Sequence, residues 1–341
     1  MQLKYSDYVA FSHDHGFAVN NSGLIMNKNV CSNNVIETEV ECYLSRISIG
    51  FPILDQVLGG GIAPGLILCE SLSDFSGDAI GGQLLDNFLF EGKDCLYLSC
   101  EKSEKVLIAQ SISRKSFKIG GKSGGITVSE MQMRSVMLNE TKQDVLKIAL
   151  AQTEAERKKL VFQDMSGGKV DVVKLEDYIK CNWVIVGKNV PVIMLDCWKG
   201  SHIYRNQYWQ LRNLAIKYGV PIICVVYTDW LSFYTGVNTV EFSDVEEIAD
   251  VILRLRYRGM GRKGFNYSCS LNKNPKELEI VLIKDRFGGS GVLSLLDFYP
   301  EYALFTEASE KVMNKTCGRK QLSNKAILKQ YPDLQIVNIN F

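Results

Sequence analysis

The stretch Leu66-Ile67-Leu68-Cys69-Glu70-Ser71-Leu72-Ser73-Asp74-Phe75-Ser76-Gly77-Asp78 has the layout of a phosphate-binding loop. An apolar run reads as a buried strand, a short polar segment follows, and a helical pattern begins after it. The template for that chemistry is G-x-x-x-x-G-K-[ST], whose backbone amides, lysine and hydroxyl hold the phosphates and Mg²⁺ of a nucleotide. Aligned without gaps, Ser71 takes the first glycine, Ser76 the second, Gly77 the lysine and Asp78 the hydroxyl residue. Gly77 supplies no charge, and Asp78 adds a negative one. Between unit charges about 4 Å apart, at an effective dielectric of about 20, the interaction is roughly 4 kcal/mol. Losing an attraction and gaining a repulsion of that size weakens triphosphate binding strongly. Sliding the register by one puts Asp78 on the lysine position, and the nearby Lys93 lies beyond the expected helix.

Four other groups of residues could do chemistry. Asp196 closes the apolar run Val192-Ile193-Met194-Leu195, as either a metal-side carboxylate or a polar strand terminus would. No metal site is assigned beyond it; Asp196 is the residue that would meet Mg²⁺ if the ion binds. The densest basic stretch holds Arg254, Arg256, Arg258, Arg262 and Lys263, with Tyr257, Phe265 and Tyr267 interleaved. Cations among aromatic platforms suit single-stranded nucleic acid, and a charged surface strand and loop gives the same pattern. Lys284 and Arg286 alternate along another expected strand and so share one side of it. His13 and His15 have metal-like spacing but no third ligand nearby, and the basic cluster from Lys311 to Lys329 fits a solvated helix face.

The frame for these residues is an α/β one. A chain of 341 residues, 46% hydrophobic and 23% charged, suits one large domain with short extensions. Its net charge of +1 provides no whole-protein attraction to nucleic acid, so any such contact is local. Ten cysteines without a CxxC pair, several inside apolar runs, read as free thiols of a reducing compartment. Neither a signal-peptide pattern nor a run of transmembrane length is present, so the expectation is a soluble cytoplasmic protein without membrane contact. Strands are expected at 66–69, 95–99, 160–164, 192–196, 222–226, 251–257, 278–284 and 292–297. Helices are expected at 80–90, 103–113, 141–159, 172–181, 204–218 and 244–249. Their alternation predicts a mainly parallel sheet with crossover helices. Three regions follow: an N-terminal extension at 1–44, the α/β domain at 45–306 and a basic tail at 307–341.

A series of short segments, in one order, resembles the RecA-like ATPase domain of DnaB-type replicative helicases. The likeness is to the DnaB-like ATPases of phages and mobile elements of low-GC Gram-positive bacteria. Ile47-Ser48-Ile49-Gly50-Phe51-Pro52-Ile53-Leu54-Asp55 running into Leu58-Gly59-Gly60-Gly61-Ile62-Ala63-Pro64-Gly65-Leu66 is similar to "S-T-G-F…L-D…L-G-G-G-L…G-L". Tyr97-Leu98-Ser99-Cys100-Glu101-Lys102-Ser103 resembles "F-S-L-E-M-S", and Val192 to Asp196 resembles the Walker B strand. Leu211-Arg212-Asn213-Leu214-Ala215 with Gly219-Val220-Pro221-Ile222-Ile223 looks like "L-K-N-L-A-x-x-x-x-V-P-V-I". Phe242 to Val251 looks like "F-K-E-S-G-A-I-E-Y-x-A-D-V", and Lys284-Asp285-Arg286-Phe287-Gly288 is similar to "K-N-R-x-G".

The resemblance covers roughly 45–305 and implies a RecA-like P-loop NTPase fold that uses ATP and Mg²⁺. On it, Glu101 is the counterpart of the glutamate that polarises the attacking water, and Asp196 of the metal-side acid. Lys284 and Arg286 correspond to a lysine and an arginine finger offered to the nucleotide of the next subunit. It also implies partners: single-stranded DNA, further subunits of self or an active helicase paralogue in a ring, and primase. The departures are the loop positions Ser71, Ser76, Gly77 and Asp78, and Val226-Tyr227-Thr228-Asp229-Trp230 where the family has a polar sensor. The segment at 230–240, in the place of the central DNA-binding loop, carries no Lys or Arg. The expectation is a subunit able to serve a neighbour's site but impaired in its own hydrolysis. An ordinary active helicase and a non-enzymatic adaptor are the alternatives.

Overall fold

Runs such as Leu66 to Cys69 and Val192 to Leu195 are apolar at every position because both of their faces are covered, and their side chains are almost wholly buried. The computed structural model describes residues 17–19, 25–27, 46–72, 77–100, 102–132, 139–165, 170–197, 205–228, 245, 247–260, 264–286 and 293–308. The chain divides into two compact units, Met1–Ser45 and Arg46–Phe341. In the first, Phe17–Val19 pairs antiparallel with Ile25–Asn27.

The second unit is built on nine strands. In chain order they are β1 (Gly65–Leu72), β2 (Cys95–Ser99), β3 (Leu160–Asp164), β4 (Val192–Cys197) and β5 (Pro221–Thr228). There follow β6 (Val251–Tyr257), β7 (Lys276–Asp285), β8 (Leu293–Tyr299) and β9 (Leu304–Glu307). The helices are α1 (Pro52–Val57), α2 (Gly77–Phe90), α3 (Glu104–Gly124), α4 (Val128–Gln132), α5 (Glu140–Arg157), α6 (Val172–Ile179), α7 (Arg205–Tyr218) and α8 (Tyr267–Leu271). Strand order across the sheet is β9-β8-β7-β6-β1-β5-β4-β2-β3. The six strands from β6 to β3 are parallel, and β7, β8 and β9 extend the sheet antiparallel. Odd and even positions separate into two cores. Ile67, Cys69, Tyr97 and Met194 pack with α2 residues Ile80, Leu84 and Phe88. Leu66, Leu68, Leu98 and Leu195 pack with Leu175 and Ile179 of α6 and Leu211 and Leu214 of α7.

The chain reaches β1 through turns that only glycine permits. A Cβ at Gly61 (φ +125°) would lie 2.1 Å from the Ile47 carbonyl oxygen, where Ile47 and Ile62 bridge. Asp55 closes the preceding turn by accepting from the Ser48 hydroxyl (2.7 Å) and the Ile49 amide (2.8 Å). At the far edge, the Gln83 amide acts as a strand partner for β9. Its Nε2 donates to the Phe305 oxygen and its Oε1 accepts from the Phe305 amide, each at 2.7 Å. That exchange covers an edge that would otherwise be open to another chain.

Several boundaries differ from the expected ones. The helix expected to end at 113 continues to Gly124 because Arg114, Lys115 and Ser116 are buried instead of exposed. The helix at 172–181 runs on into a π-turn at Lys180–Val184, and α1, α4, α8 and β9 have no counterpart among the expected elements. Of the expected helix at 244–249, only 245 and 247–248 are described as helical. Among the described residues, no helix is long and apolar enough to cross a membrane.

Arg114 is 1% exposed and carries a polar cluster between α2, α3 and α5. Its Nε meets Asp86 Oδ2 at 2.7 Å, and Lys115 joins Glu156 at 2.8 Å. Burial alone would raise the Asp86 carboxyl, but Arg114 and Lys115 outweigh it and hold the group below the usual carboxylate range. Removing one partner from a buried pair costs about 3–5 kcal/mol, whereas replacing both by apolar groups is often neutral. In urea denaturation Arg114→Ala should therefore lose about that much stability, and Arg114→Met with Asp86→Leu should recover most of it. Because the folded Asp86 carboxyl titrates low, its contribution is complete above the ordinary carboxylate pKa and vanishes as pH falls through the lowered value. The double variant lacks that component of the acid transition.

Candidate functional site

In a parallel sheet all strands end on one rim, and loops leaving that rim form the natural ligand crevice. The carboxyl rim holds the end of β1 at Ser71-Leu72, and α2 begins at Gly77, the position the loop template gives to lysine. Ser71 is fully buried between Tyr227 of β5 and Leu255 of β6. Asp196 stands in register with Ser99 and Val225 on the face that packs against α2. It is 1% exposed, and its Oδ2 accepts the Tyr97 hydroxyl at 3.1 Å. A Cβ at Gly81 of α2 would lie 3.4 Å from the Tyr97 oxygen and 3.2 Å from Val225, so the helix sits close on this pair. Ser76, Glu101 and the segment at 230–240 lie outside the described residues, and of Gly77 and Asp78 only the helical backbone is described.

The basic stretch occupies the opposite face of the same rim. Arg254, Arg256 and Arg258 recur at every second position of β6 and its extension, so they share a face. Each meets a carboxylate on a neighbouring strand. Arg254 Nε lies 2.5 Å from Glu70 Oε2, Arg256 Nε 2.8 Å from Glu279 Oε1, and Arg258 Nη1 3.9 Å from Glu277 Oε2. Glu70 and Glu279 are each 1% exposed, so these are internal pairs that neutralise charge within the sheet. Arg262, Lys263, His13, His15 and the basic tail from 309 onward lie outside the described residues.

Lys284 and Arg286 lie at the other end of the sheet. β7 runs antiparallel, so its last residues stand beside the first of β6: Lys284 pairs with Ile252 and Asp285 with Val251. Arg286 comes one residue beyond the strand, and its Nε meets Asp250 Oδ1 at 2.6 Å. Asp250 also takes Arg212 Nε at 3.0 Å and the Leu66 amide at 3.0 Å. Lys284 Nζ donates to the Glu247 carbonyl at 2.9 Å; burial and then the nearby Arg286 push its ammonium below the usual lysine value. The structure thus brings Lys284 and Arg286 together on the amino rim, and Ser71 and Asp196 together on the carboxyl rim. Asp250, Arg212, Tyr97 and the pair Glu70–Arg254 belong to these sites without being marked out by any motif. A charged residue standing directly before a fully apolar strand, as Asp250 does before Val251, is the one signal of it in the sequence.

Solved structures share this arrangement. The ATPase domain of one DnaB-like helicase is similar over 81% of this chain and 97% of its own, with a TM-score of 0.63 and 18% identity. A second DnaB-like replicative helicase, one that interacts with primase, is similar over 81% of this chain and 67% of its own, with a TM-score of 0.61 and 17% identity. The fold is that of a RecA-like P-loop ATPase domain. At these identities the likeness is one of fold. The sequence matches no protein-family model and no curated protein.

The pairing of Arg256 with Glu279 has a measurable consequence. Arg256→Ala leaves a buried carboxylate without its arginine and should cost about 3 kcal/mol, the low end for a buried pair because Arg256 is partly exposed. Arg256→Met with Glu279→Leu should restore the melting temperature. An Arg256→Ala protein as stable as the parent would show that the pair carries no such weight.

Proposed function

We propose that this chain is a DnaB-helicase-like RecA-fold subunit of DNA replication or mobile-element maintenance, with its own ATP hydrolysis impaired. It acts by assembling with itself or with an active helicase subunit, to whose nucleotide it offers Lys284 and Arg286. The observation that carries this reading is the separation of the two rims. β1 has eight residues, and at about 3.3 Å per residue its ends stand roughly 23 Å apart. Arg286 shares the rim where β1 begins; the loop leaves the rim where β1 ends. No arginine side chain spans that gap, so Arg286 is useful to a nucleotide only when another subunit brings its own carboxyl rim alongside.

The chain's own loop is poorly suited to a magnesium nucleotide. No cation stands at Gly77, Asp78 adds a carboxylate, and Asp196 has one oxygen engaged by Tyr97 inside a packed core. If ATP were held there, Asp196 would face the metal and Glu101 the attacking water. The reading places Ser71, Ser76, Gly77 and Asp78 as a vestige of that site. Assembly is favoured over single-stranded DNA binding through the basic stretch, because Arg256 and Arg258 already face Glu279 and Glu277. DNA contact through Arg262 and Lys263, and contact with primase, follow from the resemblance alone.

ATP turnover of the chain alone and mixed with an intact DnaB-type helicase tests this. The chain alone should be inert, and the mixture should exceed the helicase's own rate. Arginine fingers contribute on the order of 10³–10⁵ in turnover, so Arg286→Ala should abolish the increment. Helicase-like turnover by the chain alone contradicts the proposal. A steep salt dependence of single-strand affinity would assign it a DNA contact as well.

A further inference from the structure

A carboxylate offers two oxygens and about four lone-pair directions, and Asp250 uses them on three different elements. Oδ1 takes Arg286 Nε at 2.6 Å and Arg212 Nε at 3.0 Å; Oδ2 takes the Leu66 amide at 3.0 Å and Arg212 Nε at 3.1 Å. The residue is 2% exposed and is fixed by its backbone too. Its amide donates to the Leu66 oxygen, and its oxygen accepts the Arg286 amide, both at 2.8 Å. A Cβ at Gly65 would fall 2.8 Å from Oδ2, so β1 lies directly against the carboxylate and leaves it no other rotamer. Both arginines are gripped by Nε. Among the described residues, the terminal nitrogens of Arg212 and Arg286, which form the fork that matches a phosphate, make no hydrogen bond. Arg286 is 41% exposed, and Arg212 lies over the ring of the half-exposed Trp209. With Lys284, three cations stand here against Asp250 and the exposed Glu247.

We propose that Asp250 is a positioning residue: it holds Arg286 and Arg212 by Nε, leaving both guanidinium forks to receive a terminal phosphate carried by a neighbouring subunit. Arg212 thereby becomes a third cation of the site beside Lys284 and Arg286. This rests on the donation of Arg286 in trans argued above. It adds that the donated group is pre-set by a buried carboxylate tied to the first residues of β1. The rim is organised before a partner arrives.

Asp250→Asn tests this, because the amide keeps one oxygen for Leu66 but loses the charge that holds two arginines. In the chain alone, Nε–H exchange of Arg286 and Arg212 followed by NMR should be slow, and at least tenfold faster at both in Asp250→Asn. With an intact DnaB-type helicase as partner, Arg286→Ala should remove the stimulated turnover. Asp250→Asn should lower stimulated kcat at least tenfold while the half-saturating concentration of the chain stays within twofold. Asp250→Glu, which keeps the charge, should recover part of the kcat and serves if the asparagine variant does not fold. No effect of Arg286→Ala overturns donation and this proposal together. An effect of Arg286→Ala with unchanged kcat in Asp250→Asn leaves donation standing and overturns the positioning role. A change confined to melting temperature or half-saturation makes Asp250 merely structural, which also overturns it.

Discussion

A parallel strand has two unlike ends, and the central strand Gly65–Leu72 keeps them roughly 23 Å apart. Everything chemical in this protein is sorted by that constraint. The loop that should hold phosphates leaves one end, with Asp196 and Ser71 beneath it. The cations Lys284, Arg286 and Arg212 gather at the other around Asp250. A parallel sheet extended antiparallel by β7 makes this sorting inevitable, because β7 returns its last residues to the rim where β1 begins. A site that needs both rims must be shared between subunits. The reading of this chain as a donor to a partner follows from that geometry and from a loop whose residue types no longer suit a nucleotide.

The second theme is that charge inside the sheet is matched locally. Glu70 with Arg254, Glu279 with Arg256, Asp86 with Arg114 and Asp250 with two arginines are all buried acids met by guanidinium groups. Such pairs add little net stability over apolar packing, but breaking one is expensive. They fix which strand faces which, and they withdraw arginines that composition alone would assign to nucleic acid. Arg256 stands 23 positions from its carboxylate and Arg254 stands 184 from its own, so neither pairing is visible in a local window. The exposed fraction of Arg286 sets it apart: it is anchored, yet open to a visitor.

How much is legible in the sequence follows from where side chains end up. Strands such as Cys95–Ser99, Leu160–Asp164 and Val251–Tyr257 are readable to the residue, since a short apolar run bounded by turns has few other fates. β1 runs past the expected strand because Glu70 and Ser71 look like loop residues, and only the pairing with Arg254 lets Glu70 be buried. α3 runs past 113 for the same reason, since Arg114 announces a surface until Asp86 is placed beside it. β9 is a four-residue edge that depends on Gln83, 222 residues earlier, and no local pattern marks it. Motif order leads to Lys284 and Arg286. It does not lead to Asp250 as their organiser, because its ligands stand 38 and 184 residues away at Arg212 and Leu66.

The central claim is that a nucleotide near this chain sits on its neighbour's loop and not on its own. A structure of the chain assembled with an intact DnaB-type helicase and a non-hydrolysable ATP analogue measures this directly. The account predicts the analogue on the helicase loop with its terminal phosphate against Arg286 and Lys284, and none along Ser71 to Asp78. An analogue seated with its metal on Ser71 to Asp78 of this chain, and Arg286 turned away from any phosphate, would contradict it.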